Sequence, residues 1–212
     1  MHLISLSITL AAGLSSAATI IPKTVFDSTS SLTQYFSYNY PWGTDHNGGA
    51  RMAASHAVIS TAGTLTLTAQ KISSQPPATH GGKQIPISYL SGAVSAKQHF
   101  TIPSGGGFIF SGSFQATTTK GMARFLAHGN VGYASPGSFH YIKCQVRDRG
   151  NGKDAQVKYF LNDVEVTTHY GKDYVGKPLY LIINLQMEGS SGTPGPSSKT
   201  SYSIRNMEVT TL

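Results

Sequence analysis

A chain of 212 residues carrying 16 Lys and Arg against 9 Asp and Glu, a net charge of +7, is long enough to bury a core as one large β-sandwich. Its one cysteine, Cys144, excludes an intramolecular disulfide, and no apolar run is long enough for a membrane helix. The surplus of cations suits acidic polysaccharide or an anionic cell wall, whereas their scattered placement and the lack of a recognition motif argue against nucleic acid as a partner.

The opening "MHLISLSITLAAGLSSA", residues 1–17, reads as a secretory signal, with an apolar stretch from Leu3 to Leu14 and small residues at Ser15 and Ala17. A secreted, extracellular, soluble domain over residues 18–212 is therefore expected, a monomer with no membrane partner. Helix signals are nearly absent after it, and short runs of Thr, Val, Ile, Tyr and Phe alternate between Gly, Pro, Asn and Asp. "TVFDS" and "YFSYNY" are the first predicted strands. "GTLTLTAQK" alternates best, with Leu65 and Leu67 inward and Thr64, Thr66 and Thr68 outward. "SSQPPATHGGKQIP" reads as a loop. In "YLSGAVSAKQHF" the outward set is Tyr89, Ser91, Ser95, Lys97 and His99, which leaves Gln98 either a satisfied buried amide or turned outward by a bulge.

"GFIFSGSFQAT" and "GMARFLAHG" are the next strands, followed by a Gly/Ser loop. In "SFHYIKCQVRD" Cys144 shares parity with His140, Ile142 and Val146 and reads as a small buried hydrophobe rather than a reactive thiol. "YFLNDVEV" predicts a hairpin turning at Asn162–Asp163. "PLYLIINLQME" places Leu181, Ile183, Leu185 and Met187 on one face and Tyr180, Ile182, Asn184, Gln186 and Glu188 on the other, as for a strand whose polar side lines a groove or meets solvent. "SYSIRNMEVTTL" closes the chain.

This order of motifs, above all "YPWGTDHNGGARM" and "LIINLQMEGSSGTPGP", resembles the concanavalin A-like jelly roll of glycoside hydrolase family 16, and more closely secreted fungal proteins with concanavalin A-like lectin/glucanase domains. The resemblance implies an all-β sandwich of two antiparallel sheets. It also implies two catalytic carboxylates on one strand in a Glu-x-Asp-x-Glu pattern, because a retaining glycosidase needs its nucleophile and its general acid about 5 Å apart. Of the nine acids here only Asp163 and Glu165 stand two apart, and they flank a predicted turn. After "GMARFLAHG", where the acidic strand is expected, "NVGYASPGSFHYIK" contains no carboxylate. Either a lineage kept the sandwich and dropped the chemistry, or an exon is missing from the gene record. The expectation is a carbohydrate-binding protein for cell-wall polysaccharide of the β-glucan type, with catalytic residues unknown.

The candidate groove comprises Trp42, His46, Arg51, Asn184, Gln186 and Glu188, since sugars are held by aromatic faces together with amides, carboxylates and Arg. Trp42, the one tryptophan, either stacks on a pyranose from its turn or plugs one end of the sandwich. The polar strand face is likewise either a cleft or a plain solvated surface. A polysaccharide lyase is the enzymatic alternative, with His46, Arg51, Tyr89, Gln98 and His99 as the residue types that abstract a proton beside a uronate. A packing protein with no ligand is the third. No cofactor is expected, and dispersed histidines give no metal site; "RDRGNGKD" is the one stretch with calcium-like oxygen donors, opposed by its own cations.

Overall fold

The computed structural model describes residues 17–212 except 62, 74, 118–136 and 189–194. The signal up to Ser16, the strand expected in "GMARFLAHG" and most of the loop after it lie outside these residues. In chain order the first strand is β1 (Thr19–Ile21); a 3-10 turn (Lys23–Phe26) and helix α1 (Thr29–Tyr35) precede β2 (Phe36–Tyr38) and β3 (Ala50–Met52). Next come β4 (Ala57–Thr61), β5 (Thr64–Lys71), β6 (Ala78–His80), β7 (Lys83–Ile85), β8 (Tyr89–Ser91), β9 (Ala93–Ala96) and β10 (Phe100–Thr101). The long strands are β11 (Gly107–Ala116), β12 (His140–Asp148), β13 (Ala155–Leu161) and β14 (Val164–Gly171). The short β15 (Pro178–Leu179) and β16 (Ile182–Asn184) lead to β17 (Thr200–Thr211).

One large sheet runs β14-β13-β12-β11-β17-β5-β8-β3, with β1 on β17 and β4 on β5, and a smaller sheet runs β16-β9-β2. All pairings are antiparallel except β3 with β8. The two layers close over one apolar core. Leu65 and Leu67 of β5, Ile204 and Val209 of β17 and Phe114 of β11 cluster with Phe36, Val94 and Ile183 of the small sheet. Each such side chain contributes about 1.5–3 kcal/mol by leaving water. The alternation read in "GTLTLTAQK" holds, with Leu65, Leu67 and Ala69 buried. Asn162 and Asp163 turn the β13–β14 hairpin at φ 48° and 65°, the left-handed pair that a two-residue loop requires. Cys144 packs against the core, where burial raises its thiol to about 12.

Three expectations are corrected. "TVFDS" is not a strand: residues 23–26 form the 3-10 turn and α1 follows, started by Ser28, whose hydroxyl accepts the Ser31 N–H at 3.0 Å. "SSQPPATHGGKQIP" is more than a loop, because Gly81 and Gly82 at φ 57° and 75° turn a β6–β7 hairpin. "YLSGAVSAKQHF" is not one strand with an outer face. The chain leaves the large sheet after β8 and joins the small sheet as β9, and the break falls at Gly92. A segment crossing between sheets is covered on both sides, so Tyr89, Ser91 and Ser95, expected outward, are buried. The Ser91 hydroxyl is satisfied by the Leu185 carbonyl. Lys97, Gln98 and His99 follow in an exposed bend.

The loop between β12 and β13 is organised by Asp148. Its two carboxylate oxygens accept backbone N–H groups of Gly105 (2.8 Å), Gly150 (2.9 Å), Asn151 (3.2 Å) and Gly152 (3.1 Å). N–H dipoles converging on this carboxylate hold Asp148 below its ordinary value, led by the amides of Gly105 and Gly150. A group with a depressed folded pKa adds stability above the unfolded value near 3.9, and loses it as pH falls through the lower folded value. Between pH 5 and 3 the native chain should therefore lose more Tm than Asp148→Ala does; equal acid slopes would remove Asp148 as the source.

Candidate functional site

The two sequence segments that carry the family resemblance meet in space. After β2 the chain makes a two-residue loop, Pro41–Trp42, closed by Tyr40 and Gly43 exchanging backbone hydrogen bonds of 3.0 and 3.1 Å. Gly43 takes φ 124°, open to glycine. The loop lifts Trp42 out to 50% exposure, so it does not plug the sandwich. Its ring lies flat on buried Tyr40, with centroids 5.3 Å apart and planes 6° from parallel. The Tyr40 hydroxyl in turn accepts the Asn184 amide of β16 at 2.8 Å. Trp42 is thus seated on the polar face of the small sheet through one buried phenol.

Further along, Gly48 and Gly49 let that polar face approach the loop closely. A Cβ on Gly48 would come within 2.8 Å of the Gln186 side chain, and one on Gly49 within 2.9 Å of the Glu188 carboxylate. The Gly49 N–H donates to the Met187 carbonyl at 2.8 Å. The predicted parity shows in part: Ile183 and Met187 are inside and Tyr180 and Glu188 exposed, whereas Leu181 and Leu185 of the inner set are half-buried like Ile182, Asn184 and Gln186 of the outer set. The single strand expected in "PLYLIINLQME" is split into β15 (Pro178–Leu179), paired with β10, and β16 (Ile182–Asn184), paired with β9, and Glu188 turns to φ 48°. The Gln186 Nε2 and the Asn39 Oδ1 are buried without hydrogen-bond partners among the described residues.

Trp42 heads a continuous run of rings. His46 lies 5.2 Å from it and His80 5.2 Å from His46, while on the other side Tyr180 stands edge-on at 6.1 Å and His99 edge-on to Tyr180 at 4.5 Å. An open cleft of about 640 Å³ follows the His80 end, lined by Trp42, Thr44, Asp45, His46, Thr79 and His80. Burial, and secondarily His80 beside it, hold His46 below the ordinary His value, so it is neutral at pH 7. Sequence reasoning missed His80 and did not put Tyr180 in the groove. His80 sits in the hairpin taken for a loop, and Tyr180 shares parity with Asn184, which was the available signal.

Arg51 reaches the same region but is already engaged. Its Nε and Nη2 clasp both Asp45 oxygens at 2.8 and 2.9 Å, and it also donates to Gln75 Oε1 and the Pro76 carbonyl. This fork fixes the cleft wall and leaves little of the guanidinium for a ligand. The lyase constellation does not assemble as a reaction centre: Tyr89 is fully buried with its hydroxyl donating to the Pro196 carbonyl at 2.9 Å, and burial, then Glu188, raises its pKa. Gln98 is exposed in the bend after β9.

All nine acids lie in described positions, and none forms a paired strand motif. Asp163 and Glu165 hold Lys143 and Lys158 around the β13–β14 turn. Asp154 accepts from Asn151 and from the Asp173 N–H beside the Asp148 loop. Asp45 and Glu188 are the carboxylates at the cleft, the first clasped by Arg51. No group of three metal-ligating side chains occurs among the described residues. At β16, Leu181 and Leu185 direct their backbone bonds to β9. Alternation therefore points Ile182 and Asn184 backbone groups to the other side, an edge that no described strand pairs.

No family model matches the chain. A galactan endo-β-1,3-galactanase of Flammulina velutipes is 35% identical to it, covering 92% of this chain and 90% of the relative. That alignment spans 229 positions, more than the 212 residues available here, so the relative carries residues with no counterpart in this chain. Among solved structures, an endo-1,3-β-glucanase of Streptomyces sioyaensis superposes with a TM-score of 0.58 at 13% identity, covering 96% of this chain and 99% of that one. The κ-carrageenase of Pseudoalteromonas carrageenovora, solved with an oligotetrasaccharide, gives 0.54 at 12% identity, covering 97% and 99%. At these identities the structures establish the fold, a family 16-like jelly roll.

Proposed function

Because the chain belongs to the family of the Flammulina velutipes galactan endo-β-1,3-galactanase, we propose that it is a secreted protein that binds a β-linked cell-wall polysaccharide along the Trp42 ring path and does not hydrolyse it. A β-1,3-galactan is the first candidate ligand, after the relative, and a β-1,3-glucan the second. The observation that carries the reading is Trp42, half exposed and stacked flat on Tyr40, whose hydroxyl Asn184 holds, at the cleft. An exposed indole presents an apolar face of the size of a pyranose, and neighbouring amides and imidazoles can meet its hydroxyls.

Three observations support the absence of family-type hydrolysis. No acid pair stands on a strand, Asp45 is clasped in the Arg51 fork, and β16 ends the small sheet at an edge that no described strand pairs. In a retention assay on β-1,3-galactan and β-1,3-glucan with reducing ends counted in the same tubes, the mature protein should bind and release none. Trp42→Ala should weaken retention by about 1–3 kcal/mol. Sugar release would overturn the non-hydrolytic reading, and a folded Trp42→Ala that binds as well as native would take Trp42 out of the site.

A further inference from the structure

The outer face of the large sheet, opposite the small sheet, gathers cations and rings that the cleft does not use. Strand β12 sends Tyr141, Lys143, Gln145 and Arg147 outward, since the intervening Ile142, Cys144 and Val146 pack inward. Successive members of that column stand about 7 Å apart. The register sets Lys143 beside Phe160 of β13 and Arg147 beside Gln156, which is itself opposite Tyr170 of β14. Three cations lie over ring faces here: Lys143 over Phe160 at 4.3 Å, Arg149 over Tyr170 at 4.7 Å and Arg205 over Phe139 at 3.9 Å.

The charges do not cancel evenly. At the hairpin end Lys143 pairs with Asp163 at 3.3 Å and Lys158 with Glu165 at 2.8 Å. At the other end neither Arg147 nor Arg149 has an ion-pair partner among the described residues. Asp148, between them in sequence, turns its carboxylate to backbone N–H groups, and Asp154 is held by Asn151 and Asp173. Arg147 donates to Gln156 at 3.2 Å, and Tyr170 is exposed. Two guanidinium forks outside any salt bridge, Arg149 resting on the exposed Tyr170 ring with Asp154 as its nearest acid influence, and the side-chain amides of Gln145 and Gln156 match an extended chain that carries carboxylates and hydroxyls in turn.

We propose that this outer face is a second polysaccharide site, specific for a uronate-bearing chain, with Arg147 and Arg149 as its carboxylate anchors and Tyr170 as the ring that orients the Arg149 guanidinium. It is independent of the Trp42 cleft, which takes a neutral chain. The two sites together would hold the protein on a composite wall, one face on acidic polymer and the other on neutral polymer.

Affinity electrophoresis in gels containing polygalacturonate, neutral β-1,3-galactan or poly-L-glutamate tests it. Native protein should be retarded by polygalacturonate. Arg147→Gln/Arg149→Gln should bind that polymer about fivefold more weakly, on the scale of two exposed charge contacts, with galactan retardation and Tm unchanged. Trp42→Ala should show the reverse pattern, so failure of the cleft reading and failure of this one are distinguishable. The proposal is overturned if the double variant is retarded by polygalacturonate as strongly as native. It is overturned equally if poly-L-glutamate retards native protein as well as polygalacturonate does, which would leave only unspecific charge attraction.

Discussion

Gly92→Ala should be among the most damaging single substitutions in the molecule. A Cβ built there lies 2.1 Å from the His56 carbonyl oxygen, 2.7 Å from its carbon and 3.2 Å from the Ala57 nitrogen. All three are backbone atoms, so no rotamer change can relieve the clash; either the β8–β9 crossing or the 3-10 turn Ala54–His56 that leads into β4 has to move. Overpacking in cores costs about 1–3 kcal/mol where side chains yield, and a rigid obstacle sets the upper end as the floor here. A loss of about 3 kcal/mol corresponds to roughly 6–12 °C of Tm for a chain of this size. Gly82→Asn is the matched control, since nothing lies within 4 Å of that position and Asn tolerates its φ of 75°. A Tm for Gly92→Ala within 2 °C of native would mean that the crossing is not tight. Because β9 carries β16, weakened retention on galactan should accompany the lost stability.

The residues that hide this crossing also show what a sequence can convey. In β5 one face meets core and the other meets water, so Leu65 and Leu67 announce themselves against Thr64, Thr66 and Thr68. The Asn162–Asp163 turn was legible for a similar local reason: a two-residue hairpin needs left-handed backbone, and these residue types supply it. "YLSGAVSAKQHF" has no such contrast over Tyr89–Ala96, because those residues pass from one sheet to the other and are covered on both sides; parity there says nothing about which face is wet. Helix α1 was hidden by its Ser and Thr content, although Ser28 as a cap was available to be read. At the site, residue type brought forward Trp42, His46 and Arg51, strand parity brought forward Asn184, Gln186 and Glu188, and the two segments lie side by side in the structure. What composition could not convey is pairing: that Arg51 is bound to Asp45 and that Trp42 rests on Tyr40 are facts of distance between segments, invisible until the chain is closed.

Tyr40 is where the stability of the fold and the shape of the cleft meet, and Tyr40→Ala should impair both. The ring is 5% exposed and supports Trp42 face to face, and its hydroxyl is the acceptor for the Asn184 amide. Burial raises the pKa of that phenol while the Asn184 bond lowers it, with burial the larger effect, so at neutral pH the group is an uncharged hydroxyl. Removing a buried aromatic to Ala costs about 3–5 kcal/mol of stability. It also takes away the surface that holds Trp42 flat, so retention on galactan should fall by about as much as in Trp42→Ala, on the order of 1–3 kcal/mol. Tyr40→Phe separates the two contributions. It keeps the ring under Trp42 and leaves only the Asn184 amide short of one partner, worth about 1 kcal/mol. Tyr40→Phe should therefore stay well folded and bind nearly as native does. If Tyr40→Phe loses as much retention as Tyr40→Ala, the hydrogen bond to Asn184, and not the stacked platform, orders the site. If a folded Tyr40→Ala retains native binding, the ring path is surface decoration, and the ligand lies elsewhere on the sandwich.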